Sequence, residues 1–164
     1  FDEVLDILEP SGIRLRIELK TRQDGARYPG IEAQVVARLQ ERRLLDRTTF
    51  TSFDLPTLTE LLRLAPTVPT IWLIADKLLA VPMRDLRGLC REVSAAGVPE
   101  IAIRIAQARD GDGEICRSEA VKLGYYGAHD EPAIRKAFAD GVTAFTTDRP
   151  DIAIAVRRAI GASV

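Results

Sequence analysis

The stretch IRLRIELK, residues 13–20, alternates strictly between aliphatic and charged side chains. Successive side chains of a β-strand point to opposite faces, so the stretch predicts a strand with one aliphatic and one charged face. The alternation assigns Ile13, Leu15, Ile17 and Leu19 to the first face, and Arg14, Arg16, Glu18 and Lys20 to the second. Two interpretations compete: an antiparallel strand with a wet charged face, and a barrel strand whose aliphatic face packs on surrounding helices and whose charged face points inward.

The composition is that of an ordinary globular domain. The chain has 164 residues, of which 46% are hydrophobic and 29% charged. No linker or low-complexity tract divides it, so residues 1–164 are predicted to form a single domain. The formal net charge of −1 gives no field that favours nucleic acid or an anionic membrane surface. No apolar run approaches the ~18 residues of a membrane span.

Cys90 and Cys116 are the only cysteines. Their spacing does not match a metal site, and two isolated thiols in a chain of this length are typical of a reducing compartment. No signal peptide is visible in the sequence. We therefore expect a cytoplasmic protein.

Strand-like runs alternate with segments of helical period along the whole chain. The predicted strands are residues 13–20, 47–53, 70–75, 100–105, 122–127 and 142–147. The predicted helices are residues 1–12, 28–45, 54–66, 83–97, 130–141 and 149–161. Asp54 and Asp130 are expected to cap helix N-termini, and Gly97 and Gly141 to follow helix C-termini. This alternation is typical of βαβ units and a parallel sheet.

Two architectures contain repeated βαβ units, an open doubly wound sheet and a (β/α)8 barrel. The chain has neither a G-x-G-x-x-G turn nor a phosphate-binding G-x-x-x-x-G-K-[ST] loop, and DGDG at residues 110–113 is predicted to be a loop. The barrel is therefore favoured. A full barrel takes eight units and about 250 residues. We predict a (β/α)8 TIM-barrel type fold with about six of its eight βα units, an incomplete barrel whose N-terminal strands precede Phe1.

Three segments, in this order, resemble the glycerophosphodiester phosphodiesterase family. FDEVLDILEPSGIRLRIELKT (1–21) is similar to the leader helix and third strand of that family, where the strand ends I-E-[IL]-K. YPGIEAQVVARLQERRLLDRTTFTSFD (28–54) resembles the next helix and the fourth strand, which ends in Ser-Phe-Asp. YYGAHDEPAIRKAFADGVTAFTTDRPD (125–151) resembles the seventh strand, its helix and the terminal T-D-R-P motif.

The resemblance implies a function. The family is a metal-dependent (β/α)8 barrel that hydrolyses glycerophosphodiesters, which are small molecules, to glycerol 3-phosphate and an alcohol. Glu18 would then be a catalytic, metal-binding carboxylate, and Lys20 a catalytic residue that contacts the substrate phosphate. Carboxylate oxygens suit Mg²⁺ or Ca²⁺. Both residues fall at the C-terminal end of their strand, where such barrels place catalytic groups.

Other side chains are weaker candidates. Tyr126 stands where the family often carries Trp, so it would line the pocket and bind substrate, or simply pack. Ser52 would face the pocket as a substrate contact, or serve the turn that follows its strand. His129, the only histidine, stands where the family usually has Asn and has no partner motif, so a catalytic role is disfavoured.

The remaining charged and aromatic residues are interpreted as structural. Arg14 and Arg16 lie before the strand end and would pair with carboxylates of other strands. Asp148 and Arg149 would fix the last loop and the start of the last helix. Trp72 would belong to the core or to a pocket wall.

The rest of the family's machinery does not occur in residues 1–164. The resemblance implies an H-R-G motif, an E-x-D pair and a second histidine upstream, and Glu18 alone would hold a divalent ion poorly. We therefore expect the C-terminal three-quarters of an intact enzyme. The alternatives are a truncated, non-catalytic barrel that binds a phosphate ester or a protein partner, and a related phospholipase-type phosphodiesterase. The sequence gives no oligomeric state.

Overall fold

The computed structural model of the protein describes residues 1–82 and 84–161. In these residues the strands are β1 (Leu15–Glu18), β2 (Thr48–Ser52), β3 (Thr70–Ile74), β4 (Glu100–Arg104) and β5 (Lys122–Tyr126). The helices are α1 (Asp2–Leu8), α2 (Ile31–Glu41), α3 (Leu55–Leu64), α4 (Asp76–Leu79), α5 (Leu86–Ala95), α6 (Asp112–Ser118), α7 (Glu131–Ala139) and α8 (Pro150–Ala159). Short 3₁₀ turns lie at Glu9–Ser11, Leu45–Arg47 and Ile105–Gln107.

The strands form one sheet in the order β1-β2-β3-β4-β5. The β1–β2, β2–β3 and β4–β5 pairs are parallel, with Glu18 opposite Thr51 in the first pair and Arg104 opposite Tyr126 in the last. Every crossover between consecutive strands contains a helix, because parallel neighbours cannot be joined by a tight turn. The predicted α/β class with a parallel sheet is confirmed.

The chain divides into two compact units. The first comprises Phe1–Trp72 with Ala96–Val98, and the second Leu73–Ala95 with Pro99–Val164. In the first unit the most deeply buried side chains are Leu5, Leu39, Phe50, Leu58 and Leu61. In the second they include Leu89, Ile101, Ile103, Tyr125 and Ile134. The description of residues 1–164 as a single domain stays a prediction.

Helix ends follow the local chemistry of the sequence. The Asp54 carboxylate accepts a hydrogen bond from the Thr57 N–H (3.0 Å), and Asp130 caps α7 in the same way. Gly97 and Gly141, which follow α5 and α7, have φ of 74° and 63°. These predicted caps are confirmed. The helix expected at 83–97 begins at Leu86, and its first predicted residue, Met83, lies outside the described residues.

Three local expectations were wrong. β1 is shorter than residues 13–20, since Ile13 comes directly after the left-handed turn at Gly12 and is 56% exposed. Residues 142–147 form an isolated parallel bridge to β5, through Phe145, instead of a sixth strand. Backbone hydrogen bonds from the Thr143 N–H to the Leu123 carbonyl and from the Thr146 N–H to the Tyr125 carbonyl still hold this segment against β5.

The third error concerns DGDG at residues 110–113. The left-handed Gly111 ends the loop and α6 begins at Asp112, inside the motif. A glycine-rich tetrapeptide therefore initiates a helix instead of forming an open loop.

No helix among the described residues is both long and apolar enough to cross a membrane.

Candidate functional site

Glu18 and Lys20 meet at the C-terminal end of β1. The Lys20 Nζ lies 3.0 Å from Glu18 Oε1, and the two side chains, Lys20 and Glu18, are 75% and 31% exposed. Leu19, between them, points the other way: its side chain is buried, and its N–H donates to the Thr51 carbonyl. The predicted placement of Glu18 and Lys20 on one face of the strand is therefore confirmed.

A groove of about 770 Å³ runs beside β1, and both Glu18 and Lys20 line it. Its apolar walls include Ile17, Ile31 and Val35, so the charged pair sits against aliphatic surface. Small-molecule sites in proteins are typically apolar concavities of about 300–1,000 Å³ with a few convergent polar groups. The groove has the size and the lining of such a site.

The loop that follows β1 is held in place by a buried carboxylate. Glu32, on the first turn of α2, is only 3% exposed and accepts hydrogen bonds from Arg27 Nε (3.1 Å) and Nη2 (2.6 Å). The hydrogen bond to Glu32 raises the pKa of Arg27. This contact ties the loop to α2 and positions Tyr28, which lines the groove and whose ring centre lies 5.2 Å from the Arg22 guanidinium carbon.

Ser52 supports the strand end from the neighbouring strand. Its hydroxyl is buried, donates to the Leu19 carbonyl (2.7 Å) and accepts from the Asp54 N–H (3.1 Å). The hydroxyl therefore joins β2 to the residue between Glu18 and Lys20. A role in binding substrate stays a prediction for Ser52.

Trp72, Arg14 and Arg16 are the other predicted structural residues of the first unit. Trp72 is buried, and its Nε1–H donates to the Phe53 carbonyl (3.1 Å), which fits the interpretation as a core residue. Arg14 is exposed and Arg16 is half-buried. Their structural interpretation stays a prediction.

In the second unit, Tyr126 ends β5 among polar groups. Its hydroxyl donates to the Ile74 carbonyl (2.8 Å) and lies 3.3 Å from Asp76 Oδ1. Burial, together with the nearby Asp76 carboxylate, raises the pKa of Tyr126 to about 12. The phenol is therefore neutral at pH 7 and acts as a donor. Its role as a substrate contact stays a prediction.

Sequence reasoning missed Arg104 and Asp76. Arg104 ends β4 opposite Tyr126, its Nε donates to Asp76 Oδ2 (2.9 Å), and its guanidinium carbon lies 5.1 Å from the centre of the Tyr126 ring. The signal was a charged residue at the C-terminal end of the strand EIAIR, the end at which such barrels place catalytic groups.

His129 has a partner that its local sequence did not reveal. The His129 Nδ1 lies 2.6 Å from Asp148 Oδ1, across 19 residues of chain. Arg149 pairs with Asp151 instead, at 2.8 Å. Asp148 and Arg149 thus make contacts around the last loop, as their structural interpretation expects.

The fit of these residues to a divalent metal ion is poor. In residues 1–82 and 84–161 there is no group of three or more histidine, cysteine, aspartate and glutamate side chains that could hold one. Glu18 supplies one carboxylate, whereas Mg²⁺ and Ca²⁺ take about six or more oxygen ligands. The described residues alone do not form a site for the predicted Mg²⁺ or Ca²⁺.

Among known proteins, the chain matches solved structures. No protein-family model matches the chain, and no curated protein sequence matches it. A crystal structure from Agrobacterium tumefaciens, of a protein assigned as a glycerophosphoryl diester phosphodiesterase, is 33% identical with a TM-score of 0.90. The match covers 99% of this chain and 64% of that one.

Two further structures share the fold at lower identity. A protein from Silicibacter pomeroyi, assigned to the same activity, is 22% identical with a TM-score of 0.81, over 98% of this chain and 56% of that one. A phosphodiesterase from Oleispira antarctica, in complex with the product sn-glycerol-3-phosphate, is 15% identical with a TM-score of 0.69. That match covers 95% of this chain and 60% of the Oleispira chain. This chain thus spans less than two thirds of the length of each of the three proteins. The predicted resemblance and the partial barrel fold are confirmed.

Proposed function

We propose that this chain is part of a phosphodiesterase that hydrolyses glycerophosphodiesters to glycerol 3-phosphate and an alcohol. The observation that carries the proposal is the Glu18–Lys20 pair, 3.0 Å apart at the C-terminal end of a parallel strand and on the wall of a groove. Barrels of this type place catalytic groups at that end of their strands. The 33% identity to a protein assigned to this activity supports the same reaction.

Lys20 would contact the phosphate. Its side chain is 75% exposed, so the ammonium group can donate hydrogen bonds to a phosphodiester oxygen without first leaving a buried position. A cation at that oxygen stabilises the negative charge that develops during attack on phosphorus. Glu18 would hold the ammonium group at the strand end, since the two side chains share a face and are paired.

Glu18 would also be the one metal ligand that this chain contributes to a Mg²⁺ or Ca²⁺ ion. Such an ion would neutralise phosphate charge when bound. Since the described residues lack a complete ligand set, the remaining ligands would have to come from elsewhere. The phosphate contact of Lys20 and its pairing with Glu18 do not depend on the ion.

Product identity and the auxiliary contacts belong to the same proposal. The fold neighbour from Oleispira antarctica holds sn-glycerol-3-phosphate, which supports glycerol 3-phosphate as the product of this chain's parent enzyme. Tyr126 would contact the substrate from the end of β5, where it is half-buried and neutral. Ser52 would contribute by holding the strand end that carries Glu18 and Lys20.

The proposal is tested by incubating the natural protein that contains this chain with glycerophosphocholine, glycerophosphoethanolamine and glycerophosphoglycerol. Glycerol 3-phosphate release is measured before and after treatment with a chelator, and after Mg²⁺ or Ca²⁺ is restored. We expect release that the chelator abolishes and one of the ions restores. Release of the free phosphorylated head group instead would indicate a phospholipase-type enzyme, and absence of any cleavage would contradict the proposal.

A second candidate is a non-catalytic barrel that binds a phosphate ester. The observation that favours it is the missing ligand set among the described residues. Titration of glycerol 3-phosphate into the natural protein separates the two candidates. Saturable binding without turnover of any diester would support the second, and turnover would exclude it.

We also propose a cytoplasmic, reducing compartment. Cys90 and Cys116 are free thiols whose Sγ atoms lie 3.6 Å apart in the buried interior of the second unit. Two cysteines this close would be expected to form a disulfide in an oxidising compartment. Two alkylatable thiols in protein trapped with acid directly from cells would support the proposal, and an isolated disulfide-bonded form would contradict it.

A further inference from the structure

A small pocket in the second unit lies between β4 and the helices α4, α5 and α6. Its volume is about 260 Å³, and its aliphatic walls are Leu79, Leu86, Ile103 and Ile115. Ile103 and Arg104 are neighbours on β4 and therefore point to opposite faces of the sheet. The pocket thus lies on the other face of the sheet from the contact between Arg104 and Tyr126.

One carboxylate is buried in the wall of this pocket. Asp112, the first residue of α6, lines the pocket and is only 6% exposed. Its Oδ2 accepts a hydrogen bond from the Arg109 N–H at 2.7 Å. Its Oδ1 forms no hydrogen bond within residues 1–82 and 84–161, yet it is not a fully enclosed atom. A molecule in the pocket can therefore reach Oδ1.

Asp112 has no ion-pair partner in the part of the chain that the structure describes. The nearby Lys136 is paired with Asp140, at 2.8 Å. Arg109 contributes its backbone N–H, and its guanidinium group lies beyond ion-pair distance. Burial is the largest influence on the pKa of Asp112 and raises it, although Arg109 and Lys136 lower it. A buried carboxylate without a counter-ion costs folding free energy, so a cation in the pocket would stabilise the site.

The charges that line the pocket also favour a cation. Among the described lining residues, the carboxylates are those of Asp85, Asp110 and Asp112, and the guanidinium groups those of Arg84 and Arg109. Arg84 is already neutralised by Glu92 on α5. An anion in the pocket would therefore meet more negative than positive charge.

We propose that this pocket binds a small primary ammonium ion with a short aliphatic chain. The ammonium group would donate a hydrogen bond to Asp112 Oδ1, and the chain would lie along Leu86 and Ile103. A volume of about 260 Å³ is below the range of about 300–1,000 Å³ that is usual for drug-sized ligands, so the chain would have few carbons. The site does not depend on the proposed hydrolysis.

Binding is tested by NMR on the natural protein at neutral pH, where alkylamines are protonated. The probe is the Arg109 amide signal, because this N–H donates to Asp112. Isotopic labelling of arginine makes the signal visible, and its loss in Arg109→Lys identifies it. The ligands n-butylamine, n-butanol and sodium butyrate are titrated separately.

We expect a saturable shift of the Arg109 amide signal with n-butylamine. The alcohol lacks the charge and the acid carries the opposite charge, so both should bind at least about tenfold more weakly. Absence of a saturable shift with the amine, or equally tight binding of the alcohol or the acid, would overturn the proposal.

A chain-length series in the wild-type protein tests the aliphatic walls. n-Butylamine should bind about tenfold more tightly than ethylamine, because two further methylene groups leave water. Equal affinities would show that the amines meet only surface carboxylates, and would contradict binding in the pocket.

Asp112→Asn tests the carboxylate, since asparagine has the same shape and can still accept from the Arg109 N–H. Asp151→Asn is the matched control: Asp151 also lies in the first turn of a helix, but it is 63% exposed and paired with Arg149. We expect n-butylamine binding at least about tenfold weaker in Asp112→Asn and unchanged in the control. Urea unfolding checks that both variants are folded. Equal weakening in the two would indicate general attraction to negative charge and would refute the site.

Discussion

Lys20 Nζ lies 3.0 Å from Glu18 Oε1, and the two residues make this contact at an exposed strand end. Exposed ion pairs contribute only ~0–1 kcal/mol to folding, because water and salt screen them and two flexible side chains must be ordered. A large loss of hydrolytic activity on replacing either residue would therefore reflect a role in the reaction and not a loss of folding stability. Mutation of the pair can thus test the reaction separately from the fold.

Lys20→Met should reduce glycerophosphodiester hydrolysis at least about 100-fold, because the phosphate loses a cationic donor. The free energy of unfolding should stay within about 0.5 kcal/mol of the wild-type value. Steady-state kinetics and urea unfolding of the natural protein measure both. Arg63→Met is the control, since Arg63 is 67% exposed and paired with Glu60. Activity that survives Lys20→Met would remove Lys20 from the mechanism.

Arg27→Met should destabilise the protein by about 1–2 kcal/mol, because the buried Glu32 carboxylate loses its guanidinium partner. This loss of stability is small for a buried charge that loses its partner, because Arg27 is 39% exposed and water can reach part of the site. Urea unfolding measures the change. Arg38→Met, whose partners Asp2 and Glu41 are exposed, should lose less, and an equal loss would contradict this role of Glu32.

Asp112 should make stability fall as pH rises through the acid range. Burial raises the pKa of Asp112 above its ordinary value of 3.8, although the Arg109 N–H donates to its carboxylate. The folded state therefore favours the protonated acid. The stability it contributes is fully present below pH 3.8 and is lost as pH rises through the raised pKa.

Asp112→Asn removes this titration. The variant should gain stability relative to the wild type between about pH 4 and pH 7, as measured by urea unfolding at each pH. Asp110→Asn, at an exposed carboxylate two residues earlier, is the control. If the wild type instead became more stable than Asp112→Asn as pH rises towards neutral, the predicted direction of the pH dependence would be wrong.

Cys90 and Cys116 should resist alkylation in the native protein. Both are buried. Hydrogen bonding to Cys90, together with burial, raises the pKa of Cys116, whereas the hydrogen bond with Cys116 lowers the pKa of Cys90. The thiolate is the reactive form, so Cys116 is protected by both its pKa and its burial, and Cys90 by burial alone. Iodoacetamide at about pH 7.5 should therefore label neither residue until denaturant is added. Mass spectrometry of labelled peptides measures this. Rapid labelling of the native protein would mean that this part of the second unit opens readily.

The sequence was informative where one residue's neighbours along the chain determine its surroundings. Alternation around Leu15 and Leu19 indicated a strand face, and Asp54 and Asp130 could be identified as caps because a cap acts within about three residues. The order of strands and helices indicated the parallel sheet. The resemblance to the family singled out Glu18 and Lys20, and the alternation added that side chains two positions apart in an extended segment share a face.

The rest depended on contacts between distant residues. Nothing near His129 in the sequence points to Asp148, and nothing near Arg104 points to Asp76, 28 residues earlier. Phe145 forms a single bridge to Tyr125 in place of a sixth strand, and alternation alone does not reveal that. The partner of a charged residue at a strand end is fixed by the packing of loops, which local periodicity does not describe.

The most direct test of the central claim is the rate of glycerol 3-phosphate release by the natural protein carrying Glu18→Gln. Glu60→Gln is the matched control, because Glu60 is 33% exposed and lies 2.8 Å from Arg63, close to the 31% exposure of Glu18 and its 3.0 Å distance from Lys20. We predict wild-type release by the control and a loss of at least about 100-fold in Glu18→Gln, with unchanged unfolding curves. Equal release by the two variants would contradict the claim.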